Sequence, residues 1–209
     1  MLDWNHNSYY HRLLLNYLPD PCHRVLDVGC GAGGFAALLA ARCEQVDAVD
    51  RSSVMITDAR RLTPANVTCV QADVLTDPLP ATDYDAIVSI CALHHMPLDV
   101  ALPRLADALR PGGVLAAIAL PRKDLRHEWP HELGASVGHR VLGLGYLARR
   151  ALGQGDGFPK APDRDRMPMV LNPPLTTRQV AQQAAALLPG AQVRRLLFWR
   201  YLLLWRKPA

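Results

Sequence analysis

The sequence predicts one α/β domain around a mostly parallel β-sheet, and three observations carry that prediction. Strand-patterned and helix-patterned segments alternate over most of the chain, a glycine-rich turn joins the first strand directly to a helix, and two β-rich runs close the sequence only a few residues apart. Alternating strands and helices build parallel sheets through right-handed crossovers, whereas strands joined by so short a link must pair antiparallel. With 209 residues, half of them apolar, the chain suits a single domain, 1–209, with one substantial core.

The elements follow in order. An N-terminal helical segment, residues 1–20, holds a helix from Tyr9 to Leu18 and is broken by Pro19 and Pro21. A strand from Arg24 to Val28 runs through the turn Gly29 to Gly34 into a helix, Phe35 to Arg42. The second strand, Gln45 to Val49, ends in Asp50; a helix from Ser52 to Leu62 and a third strand, Val67 to Gln71, come next. Tyr84 to Ile90 is a continuous β-rich run, the pattern of a strand buried on both faces. A helix from Leu98 to Leu109 stops at Arg110-Pro111-Gly112-Gly113, and Val114 to Leu120 is the fifth strand. Residues 121–175 are rich in proline, glycine and histidine and read as an inserted cover, with a helix over Val141 to Leu152. A helix from Thr177 to Leu188 precedes the C-terminal β-hairpin, 191–206, made of Gln192 to Leu197 and Trp199 to Trp205.

Composition excludes several classes. No stretch reaches the roughly 20 apolar residues of a membrane span, and the start of the chain lacks the pattern of a signal peptide, so a cytoplasmic protein is expected. The five cysteines, Cys22, Cys30, Cys43, Cys69 and Cys91, form no Cys-x-x-Cys pair and read as reduced, mostly buried thiols. A net charge of +4 with acids and bases interspersed is modest for a nucleic-acid binder, so none is expected as a partner. The basic cluster Arg194, Arg195, Arg200, Arg206 and Lys207 reads as protection of an edge.

The chemistry lies in Val25-Leu26-Asp27-Val28-Gly29-Cys30-Gly31-Ala32-Gly33-Gly34. Gly29, Gly31 and Gly34 fit the G-x-G-x-x-G of a dinucleotide site, and Asp50 lies 21 positions after Gly29, close to the acid expected on a ribose. Asp27 distinguishes the two ligands this pattern could serve. A carboxylate two residues before the first glycine opposes an anionic pyrophosphate at the helix N-terminus, but attracts the ammonium and sulfonium of S-adenosylmethionine. The glycines would then let the loop approach the ligand with no Cβ in the way.

Asp-Val-Gly-Cys-Gly-Ala-Gly resembles the first motif of class I S-adenosylmethionine-dependent methyltransferases, in particular the small-molecule group that includes the quinone-biosynthesis enzymes. The resemblance implies a Rossmann-like class I methyltransferase fold, a mostly parallel seven-stranded sheet with an antiparallel C-terminal hairpin and helices on both faces. It implies that Asp50 accepts from both ribose hydroxyls, with Arg51 beside it, and that Asp73 accepts from the adenine amino group with Val74 against the ring. Asp27, Gly29, Cys30, Gly31, Gly33 and Cys91 complete the expected cofactor site, with Tyr10 and His11 reaching it from the N-terminal segment. Asp50 could instead cap the helix at Ser52, Asp73 could start a turn, and Tyr10, Leu13, Leu14 and Tyr17 also read as a packing face.

Leu93-His94-His95-Met96 matches a motif at the family's substrate edge, and His94 or His95 is the candidate general base, loop packing being the alternative. His127-Glu128-Trp129-Pro130-His131 spells a zinc-protease motif, but Pro130 disfavours the helix that it needs, so no metal site is expected. Asn172-Pro173-Pro174-Leu175 resembles a motif of nucleobase and amide methyltransferases, yet lies far from the fourth strand where that motif belongs. The expectation is methyl transfer from S-adenosylmethionine to an O, N, C or S atom of a small molecule in specialised or cofactor metabolism, by a monomer or homodimer. An RNA or protein methyltransferase, and a dehydrogenase or non-catalytic binder, are the competing classes.

Overall fold

In the computed structural model, residues 9–124 and 172–209 are described, together with 126, 134, 140–141, 143–145 and 152. The zinc-protease-like motif, the first eight residues and most of the expected cover at 121–175, with its helix, lie outside the described residues.

Seven strands form one sheet in the order β3-β2-β1-β4-β5-β7-β6. They are β1 (Arg24–Val28), β2 (Gln45–Asp50), β3 (Val67–Gln71), β4 (Tyr84–Ile90), β5 (Leu109–Ala119), β6 (Gln192–Leu196) and β7 (Arg200–Arg206). β1 to β5 pair parallel, and β7 runs antiparallel to both β5 and β6. This is the seven-stranded arrangement expected. The order reverses between β1 and β4, and open α/β sheets bind ligands beyond the C-terminal ends of the strands at such a point.

The helices are α1 (His11–Leu15), α2 (Gly34–Leu39), α3 (Ser53–Leu62), α4 (Leu98–Ala108) and α5 (Thr177–Leu187). Local chemistry sets their starts. Ser52 caps α3 by accepting from Met55 N, and Thr176 and Gln179 form a reciprocal capping box on α5. Two cores result, one on each face of the sheet. Leu102 and Leu105 of α4 pack with Val180 and Ala184 of α5 on one face. On the other, Leu14 of α1, Phe35 and Leu39 of α2 and Ile56 of α3 come together.

Several boundaries differ from the sequence expectation: α1 and α2 are shorter than the expected Tyr9–Leu18 and Phe35–Arg42, and two further differences concern the sheet. β5 begins at Leu109, before Arg110-Pro111-Gly112-Gly113, because Leu109 pairs with Tyr84 and an irregularity in register then absorbs the turn residues. Trp199, expected in the last strand, lies in the hairpin turn, where Phe198 and Trp199 have φ of 54° and 58°. That is left-handed backbone for two bulky residues, which no turn signal in the sequence announces.

Buried charge ties down the N-terminal ends of the strands, opposite the ligand edge. Asp47 Oδ2 accepts from Arg24 Nε at 2.7 Å and from the Tyr84 hydroxyl at 2.8 Å. Asp85 Oδ2 accepts from the amides of His23 and Arg24, and its Oδ1 from Arg110 Nη2 at 2.7 Å. Both carboxylates are buried, so these donors offset the cost of removing them from water. Tyr84→Phe removes one donor to a fully buried acid and should lower stability by about 1–3 kcal/mol, read from the urea midpoint. An unchanged midpoint would show that this hydrogen bond is not needed.

Candidate functional site

The turn after β1 is held by its neighbours across the switch point. The amides of Gly29 and Cys30 both donate to Val49 O, at 2.8 and 3.0 Å, which bends the chain away from the sheet. Gly29, Gly31 and Gly33 have φ of 72°, 53° and 83°, conformations that glycine adopts without steric cost. Gly29 and Gly33 also have a packing task within the protein. A Cβ on Gly29 would collide with Ala92 Cβ, and one on Gly33 would lie 2.8 Å from Thr63 and 3.0 Å from Ala59. These two glycines let the loop pack against the residues after β4 and against α3.

Asp50, at the end of β2, organises this loop from below. Its Oδ2 accepts from Gly31 N at 3.0 Å and its Oδ1 from Ser52 N at 2.8 Å. Each oxygen retains a second lone pair, and the group is only half-buried, so it can still accept from a ligand. Asp27 is different. It is 1% exposed, and its Oδ2 has no hydrogen-bond partner among the described residues. Burial, and secondarily the charge of Asp50, raise its pKa to about 7. A buried, unpaired carboxyl at the switch point fits a cationic ligand group, the ammonium of S-adenosylmethionine, and does not fit a phosphate.

Asp73 starts a turn: its Oδ1 accepts from Leu75 N at 2.9 Å. Arg104 of α4 pins the same turn from the side through Val74 O at 2.8 Å and Asp77 O at 2.6 Å. Val74 is buried in the core beneath it. Cys30 is buried, whereas Arg51 is exposed and acts electrostatically on His95. Cys91, half-buried at the end of β4, is held at φ 56° with its amide on Ile118 O at 2.7 Å.

His94 and His95 form a 3₁₀ turn, Leu93–His95, their rings 4.2 Å apart. His94 is buried and its Nδ1 has no partner among the described residues. Burial, then His95, then Arg200 lower its pKa to about 3. His94 lines a tight apolar pocket of about 10 Å3 with Met96, Leu120, Pro174, Leu175 and Val180. The Pro173-Pro174-Leu175 segment, out of place as a nucleobase motif, thus forms one wall of a pocket at the ligand edge.

In the N-terminal segment, Tyr10 and Leu14 are buried and Leu13 and Tyr17 pack on the core, so the packing-face alternative holds for this helix. The Tyr10 hydroxyl donates to Leu197 O at 2.6 Å, and the His11 ring lies 4.9 Å from that of Phe35, beside the glycine turn. Burial lowers the His11 pKa to about 4. The hairpin tip comes to the same edge. Arg200 Nη1 donates to Phe198 O and Trp199 O at 3.0 and 3.4 Å, and Arg200 acts electrostatically on Tyr10, Cys91 and His94. Sequence reasoning assigned Arg200 to edge protection, because only the sheet order brings β7 beside β5 and so near the end of β4.

Among the described residues no group of histidines, cysteines and acids could hold a metal ion, and no helix is long and apolar enough to cross a membrane. Cys22 and Cys43 are free and buried, their sulfurs 2.6 Å apart.

A family model described as a methyltransferase domain matches residues 25–113. Over 208 residues the chain is 36% identical to an uncharacterised methyltransferase of Mycobacterium tuberculosis, covering 98% of each protein. It is 39% identical over 135 residues to a malonyl-[acyl-carrier protein] O-methyltransferase of Enterobacter lignolyticus, covering 62% of this chain and 51% of that protein. It is also 39% identical over 115 residues to a fatty-acid O-methyltransferase of Mycolicibacterium smegmatis, covering 53% and 42%. The N-methyltransferase NodS of Bradyrhizobium japonicum shares the fold, with a TM-score of 0.61 at 17% identity over 100% of this chain and 91% of that one. The chain belongs to the class I S-adenosylmethionine-dependent methyltransferases. The dehydrogenase alternative falls with that assignment.

Two predictions follow from the loop. Gly29→Ala should be strongly destabilising, and Ala92→Gly in the same chain should restore part of the loss, because the two side chains compete for one space. A thermal-melt cycle that shows simple additivity would contradict this. The second concerns Asp27. From the ordinary carboxyl value near 3.8 up to about 7, the unfolded chain has lost a proton that the folded chain keeps, so this group lowers stability as pH rises through that window. In the ligand-free protein Asp27→Asn should therefore show a stability advantage that grows from about pH 4 to 7 and then levels off, at up to the order of 4 kcal/mol. Parallel denaturation curves of variant and parent across pH 4–8 would overturn the assignment.

Proposed function

We propose that this methyltransferase acts on a small molecule and transfers the methyl group to an oxygen of its carboxylate. The observation that carries the proposal is the setting of His94, an imidazole buried at the acceptor edge with His95 stacked against it and Arg200 acting on it, surroundings that disfavour the protonated form through which a general base must pass. A carboxylate needs no base, since it is already ionised at pH 7. S-adenosylmethionine, when bound, supplies an electrophilic methyl group: a C–O bond forms as the C–S bond breaks, the electron pair stays on sulfur, and an ester and a neutral thioether result with no proton released.

The chain's own residues then have the task of alignment. Asp27 takes the ammonium group, Asp50 the ribose hydroxyls and Asp73 the adenine amino group, with Val74 under the ring. Gly29, Cys30, Gly31 and Gly33 shape the turn, Arg51 and Cys91 border the cofactor, and Tyr10 and His11 close its methionine end. His94 is a neutral hydrogen-bonding group at the acceptor, with His95 stacked against it. Two relatives support an oxygen acceptor, since the oxygens of a fatty acid are those of its carboxylate.

The test is a panel of aliphatic carboxylic acids, alcohols and amines with radiolabelled methyl donor. Label should enter the acids and be released as methanol by mild alkali; alkali-stable label would overturn the reading. At saturating S-adenosylmethionine the rate should be flat between pH 6 and 9, and His94→Gln should lower kcat without creating or removing a pH limb. Asp50→Ala should weaken cofactor binding roughly tenfold to a few hundredfold by calorimetry, from loss of hydrogen bonds to a charged group. Affinity for S-adenosylmethionine should rise from pH 6 to 8 as Asp27 ionises, and Asp27→Asn should abolish that rise.

A further inference from the structure

The C-terminal edge of the sheet is divided by charge. Asp27, Asp50 and Asp73 stand at the ends of β1, β2 and β3, while Arg195 and Arg200, both half-buried, stand on β6 and β7. A cationic cofactor is drawn to the first side and an anion to the second.

Backbone strain gathers on the arginine side. Of the four non-glycine residues with positive φ among the described residues, Cys91, Phe198 and Trp199 all lie there. Such conformations persist where the surroundings over-determine them, and they concentrate at functional sites. Here the surroundings are explicit. Phe198 is buried with its ring 5.3 Å from that of Tyr9, Tyr10 holds Leu197 O, and Arg200 Nη1 closes the turn on Phe198 O and Trp199 O. What this turn delivers is the first residue of β7. Cys91 N binds Ile118 O, and Ala119 is paired with Tyr201, so the start of β7 lies level with the end of β4 across one intervening strand. Tyr201, the next residue, faces the other side of the sheet, so Arg200 stands at the strand end on the side of Phe198 and Leu202, where it acts electrostatically on Cys91 and His94. Arg195 Nη1 donates to the backbone carbonyl of Arg200 at 3.4 Å, which ties β6 to the start of β7.

We propose that the strained hairpin tip presents Arg200 as the group that holds the acceptor's carboxylate at the cofactor mouth. A guanidinium fork suits this task because it matches a carboxylate in two parallel hydrogen bonds and stays charged at every relevant pH. The inference rests on the carboxylate reading above and adds the residue that would make the enzyme select an acid over its neutral analogue.

The experiment is calorimetric titration of the S-adenosylhomocysteine-loaded enzyme with octanoate and with octanamide, at pH 7.5. The parent enzyme should prefer octanoate. Arg200→Gln should weaken octanoate about ten- to a hundredfold, leave octanamide unchanged, and so erase the preference. Arg200→Lys keeps a cation without the fork and should keep part of it; this variant decides the matter if the glutamine variant does not fold. A preference undiminished in both variants overturns the role of Arg200 while leaving carboxylate methylation intact. Equal binding of octanoate and octanamide by the parent removes the carboxylate reading itself. A loss of S-adenosylhomocysteine affinity matching the loss of octanoate would assign Arg200 to the cofactor instead, and would also overturn the proposal.

Discussion

Asp27 is a carboxyl group held in the central strand of the sheet, out of water, with one oxygen unpaired among the described residues. An unpaired acid in the interior is costly, and this one lies next to a second acid, Asp50, whose charge raises its pKa further. The surrounding architecture can be read as what makes that placement tolerable and useful. β1 is buried along four of its five residues and is paired on both sides, by β2 and β4, so Asp27 cannot turn out to solvent without disrupting the middle of the sheet. A cation bound beside Asp27 would recover that cost and tie the stability of the site to its occupancy.

The remainder of the ligand edge is built around the same end of the strands. Val49 O takes two amides of the glycine turn and Asp50 takes a third, so β2 dictates the path of the loop after β1. Gly29 and Gly33 make that path possible by bringing the loop into contact with Ala92 and with α3. These contacts link the acids to the segment after β4, where Cys91 and His94 sit. A single packed unit therefore carries Asp27 and Asp50 on one side and Cys91 and His94 on the other. The opposite edge of the sheet carries Asp47 and Asp85, two buried acids with arginine and hydroxyl or amide donors of their own. Each end of the sheet thus has a buried carboxylate with one oxygen lacking a partner among the described residues, Asp47 Oδ1 and Asp27 Oδ2; Asp47 differs in that its other oxygen is held by an arginine and a tyrosine.

The low basicity of His94 and the arginines of the hairpin belong together. Arg200 is one of the charges that disfavour protonation of His94, so the environment that would attract an acid also keeps the imidazole neutral. A neutral imidazole can hydrogen-bond to an incoming carboxylate without taking a proton from anything. Catalysis by alignment, with no proton transfer, suits a donor that is already activated by its own positive charge.

Much of the fold was legible in the sequence because its signals are local. Apolar runs of strand length, the caps at Ser52 and Thr176, and glycines between a strand and a helix depend on near neighbours, and β1 to β4 appear where those signals place them. The acids of the glycine motif were legible too, because Asp27 and Asp50 end strands whose positions the pattern determines. The roles of Gly29 and Gly33 were not, since Ala92 and Thr63 lie far along the chain and meet them only after packing. Neither was the left-handed turn at Phe198 and Trp199, where tertiary contacts with Tyr9 and Tyr10 override what bulky residues adopt locally. Arg200 shows the division most plainly. Its charge is written in the sequence, but its place beside Cys91 and His94 comes from an antiparallel strand inserted next to β5, and sheet order is a property of the whole chain that no local pattern encodes.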